Sequence, residues 1–311
     1  MRIKNKVLMG SVFCILAACL WGVSGAAGQY LFNFTGITPE WLVATRTLVV
    51  GILMLSFIQL TRGGIFEIWT NKEDRKGILI FTLGGMLFMQ YGYFAAIKYC
   101  NAATATVLQY TAPIMIVVYL AVKNRKLPRM VECIAVAGCL IGTILLATHG
   151  DIKNLSLSPQ ALFWGLLSAV ALAFYTVYPT RLLMKYDTML LIGWSMMIGS
   201  VVMHFVHPSW EYAANWDMAG IACMVFIVIF GTMTPYLLFL NGVKYIGPTK
   251  SSLYASAEPL ASTIVSVVWL KVGLELMDYI GFLFIVAAVL MLSFVKPKET
   301  AKAESPAEKP Q

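Results

Sequence analysis

Two charged side chains stand where the sequence has almost no other charge. Glu258 lies beside Pro259 inside the uncharged run SSLYASAEPLASTIVSVVWL (251–270), eight residues beyond Lys250. Arg46 lies eight residues past Thr38, inside a second apolar run. At a helical rise each sits about 12 Å from the nearer end of its run. An ionised group in apolar surroundings costs several kcal/mol unless it is paired or wet, which makes both residues functional candidates. Glu258 could load and release one proton per working cycle, because its neutral and ionised forms differ so much in solvation. It could equally be a buried carboxyl held by neighbouring Ser or Tyr side chains. The fork of Arg46 suits a carboxylate or a phosphate. The plainer reading, snorkelling to an interface or meeting a helix C-terminus, is the one a single sequence favours for it. Whether Arg46 and Glu258 pair with each other is left open.

Pro113 and Pro259 have a mechanical meaning. Each removes a backbone donor and frees the carbonyl four residues earlier, on Gln109 and Ala255. Freed carbonyls in an apolar medium are tolerated where they face a cavity or find another partner. Plain structural bends are the alternative. Around them, polar and aromatic side chains at similar depth form a candidate lining: Trp21, Gln90, Tyr91, Gln109 and Tyr110, then Tyr175, Tyr236, Asn241, Tyr254 and Ser256. Stacking faces with neutral hydrogen-bonding groups suit an organic molecule better than a bare ion. Interhelical hydrogen bonding accounts for part of any such set.

The elements that must position these residues are apolar helices. Hydrophobic residues make up 59% of the 311-residue chain and charged residues 12%, far from the roughly 25% charge of a soluble domain. Uncharged runs predict ten membrane spans, at 7–27, 39–60, 77–97, 102–122, 129–148, 159–180, 188–206, 218–240, 249–270 and 277–295. With the N-terminus placed in the cytoplasm, every basic residue except Arg46, Lys98, Lys153 and Lys271 falls on the cytoplasmic side. That asymmetry predicts two cytoplasmic termini and accounts for the net charge of +8 through lipid headgroups rather than nucleic acid. Trp41, Trp69, Trp210 and Trp216 fit an interfacial aromatic belt.

Other chemistry is weakly signalled. The six cysteines form no C-x-x-C pair. His149, His204 and His207 lack metal-ligand spacing, and no P-loop, G-x-S-x-G or H-E-x-x-H occurs. The expectation is therefore no enzyme, no cofactor and no metal site. LAAC (16–19) imitates a lipoprotein cleavage site, but the apolar run continues to Ala27, so an uncleaved first span is expected. The segment 297–311, rich in Pro, Lys, Glu and Ala, predicts a disordered cytoplasmic tail.

A shift of 146 residues lays IKYCNAATATVLQYTAP (97–113) over VKYIGPTKSSLYASAEP (243–259) without a gap. Pro113 meets Pro259, Gly85 meets Gly231, Gln90 meets Tyr236, and Glu258 meets the uncharged Ala112. Five spans per half force the second copy to enter the membrane from the opposite side, the inverted repeat of secondary transporters. Two five-helix halves, a Lys-Tyr end with a short turn and a proline-centred helix in each, and AEPLAS in the ninth span resemble the EamA-like branch of the drug/metabolite transporter superfamily over about 7–296. The resemblance implies an all-α membrane protein with repeats at 1–150 and 151–296. It further implies a central cavity lined by spans 1, 3, 4, 6, 8 and 9, alternating access, and export or exchange of small metabolites or toxic compounds. The expected function is secondary active export of an amino-acid-like or drug-like molecule across the cytoplasmic membrane, with protons as a candidate coupling ion. Import or exchange is the alternative, and a channel or membrane-embedded enzyme the rival from another class. Substrate, direction, coupling ion and oligomeric state are not specified by this sequence.

Overall fold

A computed structural model describes residues 2–123, 125, 129–148, 157–208, 210, 215–255 and 257–294. Every regular element among them is helical, with no strand. Six helical stretches are long and apolar enough to cross a membrane: Lys6–Thr35, Pro39–Thr61, Lys72–Tyr99, Pro159–Lys185, Thr188–Val206 and Met218–Ile246. They coincide with six of the expected spans and overrun most of them by a turn or more. Of the other four expected spans, 129–148 and 277–295 are helices of 19 residues each, 102–122 is interrupted, and 249–270 is helical on both sides of position 256.

The elements are α1 (Arg2–Tyr30), α2 (Pro39–Thr61), α3 (Lys72–Phe81), α4 (Leu87–Tyr99), α5 (Ala102–Gln109), α6 (Ala112–Lys123) and α7 (Met130–Thr148). They continue with α8 (Pro159–Val177), α9 (Thr180–Lys185), α10 (Thr188–Val206), α11 (Met218–Val228), α12 (Thr234–Ile246), α13 (Pro248–Ala255), α14 (Ala257–Val268) and α15 (Leu276–Phe294). Local chemistry sets many of the starts. Thr38 caps α2 by accepting from the Trp41 amide at 3.2 Å, with Pro39 pre-set at the first helical position. Asn71, Asn101, Ser158 and Asp217 cap α3, α5, α8 and α11 in the same way.

The expected span 102–122 is two helices, because the chain leaves helical geometry at Tyr110 and Thr111, just before Pro113. In the equivalent span 249–270, α13 and α14 lie on either side of position 256, which is outside the described residues. Three π-helical turns among the described residues were not expected from the sequence, the first of them Leu31–Thr35 directly after α1. Thr82–Met86 joins α3 to α4, and Ile229–Met233 joins α11 to α12. Each spreads one extra residue into the turn, a feature concentrated at functional sites.

The closest packing joins α2 to α10, α7 to α15, α1 to α12, and α4 to α8. Small residues permit it. A Cβ on Gly22 of α1 would lie 2.7 Å from the Ser262 amide nitrogen and 2.9 Å from the Glu258 carbonyl oxygen, so α1 touches the backbone of α14 there.

Candidate functional site

A cavity opens among α1, α2, α4, the α5–α6 break, α8, the π turn before α12, α12 itself, and Ala255 and Glu258 of α13 and α14. Its walls carry both intramembrane charges, Arg46 and Glu258, with Trp21, Gln90, Gln109, Tyr110, Pro113 and Tyr236 from the sequence-derived set. The cavity measures about 50 Å³, space for a few waters. An organic ligand therefore needs the walls to part.

Arg46 is 2% exposed. Its Nη2 donates to Gln90 Oε1 at 2.7 Å and its Nη1 to Thr232 Oγ1 at 3.4 Å, while the guanidinium lies 4.4 Å from the centre of the Phe94 ring. Gln90 is itself held by donating Nε2 to the Met86 carbonyl at 3.2 Å. These partners are neutral, and among the described residues no carboxylate reaches Arg46 within ion-pair distance. Among the described residues the Arg46 Nε–H has no acceptor. Neither does the Trp21 Nε1–H, whose ring packs edge-on against Tyr236 at 5.1 Å and beside Phe239 at 5.3 Å. Buried donors without acceptors are rare and costly, so two of them on one cavity wall call for an explanation.

Glu258 is 4% exposed and stands in the first turn of α14. Its Oε2 lies 3.2 Å from the Tyr110 hydroxyl oxygen, and that hydroxyl also contacts the Ala255 carbonyl. Pro259 withholds the amide that would otherwise bond Ala255, so Tyr110 supplies the missing donor from the other half of the chain. Beneath them, Tyr93 and Thr106 hydroxyls meet at 2.8 Å and Thr106 donates to Ser262 at 3.1 Å, tying α4, α5 and α14 together. Arg46 and Glu258 face the same cavity and do not pair with each other.

The remaining candidates lie elsewhere. Tyr91 turns away from the cavity, donating to Glu40 Oε1 at 2.7 Å with its ring edge-on to Trp164 at 4.9 Å. Tyr175 is fully buried in the layer behind, stacked on Phe81 at 5.5 Å and against Tyr236 at 5.9 Å. Asn241 bridges α12 and α10, donating to the Leu237 carbonyl at 2.8 Å and accepting from Thr188 at 3.3 Å. Tyr254 packs half-buried against the core, Pro259 is buried but off the cavity wall, and Ser256 lies outside the described residues. Sequence reasoning missed Ser24, Tyr93, Phe94 and Thr176. Helical spacing holds the signal for three of them: Ser24 follows Trp21 by three, and Tyr93 and Phe94 follow Gln90 by three and four.

The chain matches the EamA-like transporter family twice, over residues 8–148 and 159–294. It is 36% identical over 286 residues to the uncharacterized inner membrane transporter YicL of Salmonella typhimurium, covering 91% of this chain and 95% of that protein. Protein PecM of Dickeya dadantii is 23% identical over 95% of this chain and 96% of its own, and the uncharacterized transporter YdfC of Bacillus subtilis is 24% identical over 82% and 81%. A solved structure titled only "Crystal structure of protein" aligns with 93% of this chain and 96% of its own at a TM-score of 0.61 and 19% identity, a likeness of fold alone. With an all-helical body, six clear apolar spans and a family match in each half, the chain is a multi-pass membrane protein that belongs to the EamA-like transporter family.

Proposed function

We propose that this transporter is a secondary active carrier that exports a small organic metabolite, amino-acid-like or drug-like, across the cytoplasmic membrane by alternating access, with protons as the coupling ion and Glu258 as their carrier. The observation that carries the reading is the cavity itself. It lies where the helix break before Pro113, the π turn before α12 and both buried charges converge, and broken helices in a membrane are characteristic of substrate sites in secondary transporters.

The proposed architecture has ten crossings in two inverted halves, 1–150 and 151–296, with both termini and the 297–311 tail in the cytoplasm. It is supported by element bounds that recur at the 146-residue spacing: α5 with α13, and α7 with α15, residue for residue. Two of the three π turns, Thr82–Met86 and Ile229–Met233, recur within one residue of that spacing. The packing has the same dyad character, since α1 sits on α12 as α8 sits on α4.

The test is counterflow in proteoliposomes holding the purified full-length protein, screened over labelled small metabolites with and without an imposed pH gradient. Saturable exchange that responds to the gradient is expected. Flux that never saturates and shows no counterflow would make the protein a channel.

A further inference from the structure

We propose that the cavity is an organic-anion site in which Arg46 holds the negative group, and that a proton on Glu258 is bound together with that anion. The proposal rests on the cavity being the substrate site and adds the charge class of the substrate and the sign of the coupling: proton and anion cross together, so export runs down the anion's own outward gradient.

The anion follows from the donors. Arg46 carries a buried positive charge whose partners, Gln90, Thr232 and the Phe94 ring, are all neutral. Both Arg46 and Trp21 line the cavity, and among the described residues the Arg46 Nε–H and the Trp21 indole N–H lack an acceptor. A ligand with carboxylate oxygens answers both deficits, and the flanking aromatic rings suit an apolar body.

The proton follows from counting hydrogens on Tyr110. Its hydroxyl has one proton and, among the described residues, two oxygen neighbours, the Ala255 carbonyl and Glu258 Oε2. The carbonyl has lost its helical donor to Pro259, so that proton belongs to Ala255. The contact with Glu258 is then a hydrogen bond only when the carboxyl is protonated and donates to the phenol oxygen. α14 packs on α1, whose thiols near this level are Cys14 and Cys19, and on α5. Arg46, Tyr93 and Tyr236 complete the ionisable surroundings across the cavity. Among the described residues Glu258 is the one carboxyl on the wall. With Glu258 neutral the cavity carries the uncompensated charge of Arg46. With Glu258 ionised the two cancel, and an incoming anion meets a like charge. Proton and anion therefore favour each other, by the same factor in each direction.

The test titrates purified full-length protein with benzoate and with benzamide, its neutral counterpart, following Trp fluorescence between about pH 6 and about pH 8.5, where benzoate stays ionised. The expected result is selective benzoate binding that weakens on the order of tenfold as the pH rises, with benzamide unaffected. Mixing benzoate with weakly buffered protein should take up protons, by linkage. Glu258→Gln, which keeps a donor toward Tyr110 without a charge, should bind benzoate tightly at every pH. Arg46→Gln should bind it no better than benzamide, while Arg46→Lys keeps a preference and controls for folding. Equal binding of both probes, or of neither up to about 10 mM, a weak ligand by any measure, overturns the anion site. A benzoate affinity that ignores pH, or an unchanged pH dependence in Glu258→Gln, overturns the coupling. The counterflow assay uses neither probe, so loss of this inference and loss of the transport reading are separately visible.

Discussion

At Gly22 the absence of a side chain lets α1 reach the backbone of α14 one residue away from Trp21 and beside Glu258. An alanine there would place its methyl 2.7 Å from the Ser262 nitrogen and 2.8 Å from the Ala261 Cβ, contacts that force the helices apart. Gly22→Ala should therefore lower thermal stability in detergent by about 1–3 kcal/mol, the usual range for overpacking, and should impair counterflow. An unchanged melting temperature with normal exchange would show that α1 and α14 do not stay in contact. The pairing was invisible in the sequence, where Gly22 is one of 24 glycines. Charge was far more legible. Arg46 and Glu258 stand out because ionised groups are so costly in apolar surroundings that few positions carry them, and both do border the cavity. Aromatic and amide residues have no such signature. Tyr91 and Asn241 resemble Gln90 in type and depth, and only the direction of the side chain around the helix separates partner-bound residues from lining ones.

Among elements, the legible feature was the proline. Pro113 announced the break between α5 and α6, and the Ala255 carbonyl that Pro259 frees does find its partner in Tyr110. The π turns had no comparable signature, since TLGGM and IFGTM read as ordinary helix until neighbours pack against them. A polar junction between α3 and α9 was equally hidden, because charges at span ends were read only for topology. Asp74, 2% exposed, accepts from Arg181 Nη2 at 2.8 Å, from the Tyr186 hydroxyl at 2.8 Å and from Lys185 Nζ. Both cationic side chains are about half exposed, so losing their partner costs little, whereas Tyr186 is buried and would be left with an unmet donor. Asp74→Ala should thus destabilise the protein by about 1–3 kcal/mol, most of it through Tyr186. Adding Tyr186→Phe should recover part of that loss in a double-mutant cycle of melting temperatures. Equal losses with and without the phenol would assign the junction to the ion pairs instead.

On the scale of the whole molecule, the most extensive helix contacts all run between an element before residue 149 and one after residue 156. α2 meets α10, α7 meets α15, α1 meets α12, and α4 meets α8. The Arg46–Thr232 and Tyr110–Ala255 bonds cross the same divide. Each half therefore presents its small-residue faces to the other, and neither contains a finished core of its own. Buried glycines carry this division: Gly51 of α2 lies against the Met197 backbone of α10, and Gly142 of α7 against the Gly281 carbonyl of α15. In a bilayer such close approach is the main source of helix association, because lipid offers apolar side chains no reason to leave it. The chain cut between residues 150 and 157 and expressed as two separate pieces should reassemble when both are present. Affinity purification of a tagged first half should bring down the second in equal amount, with cavity ligand binding restored. Either half expressed alone should be degraded or aggregate. A first half that is stable and monodisperse without its partner would mean that the contacts within it, chiefly α2 with α4 and α1 with α5, are enough to hold five helices together.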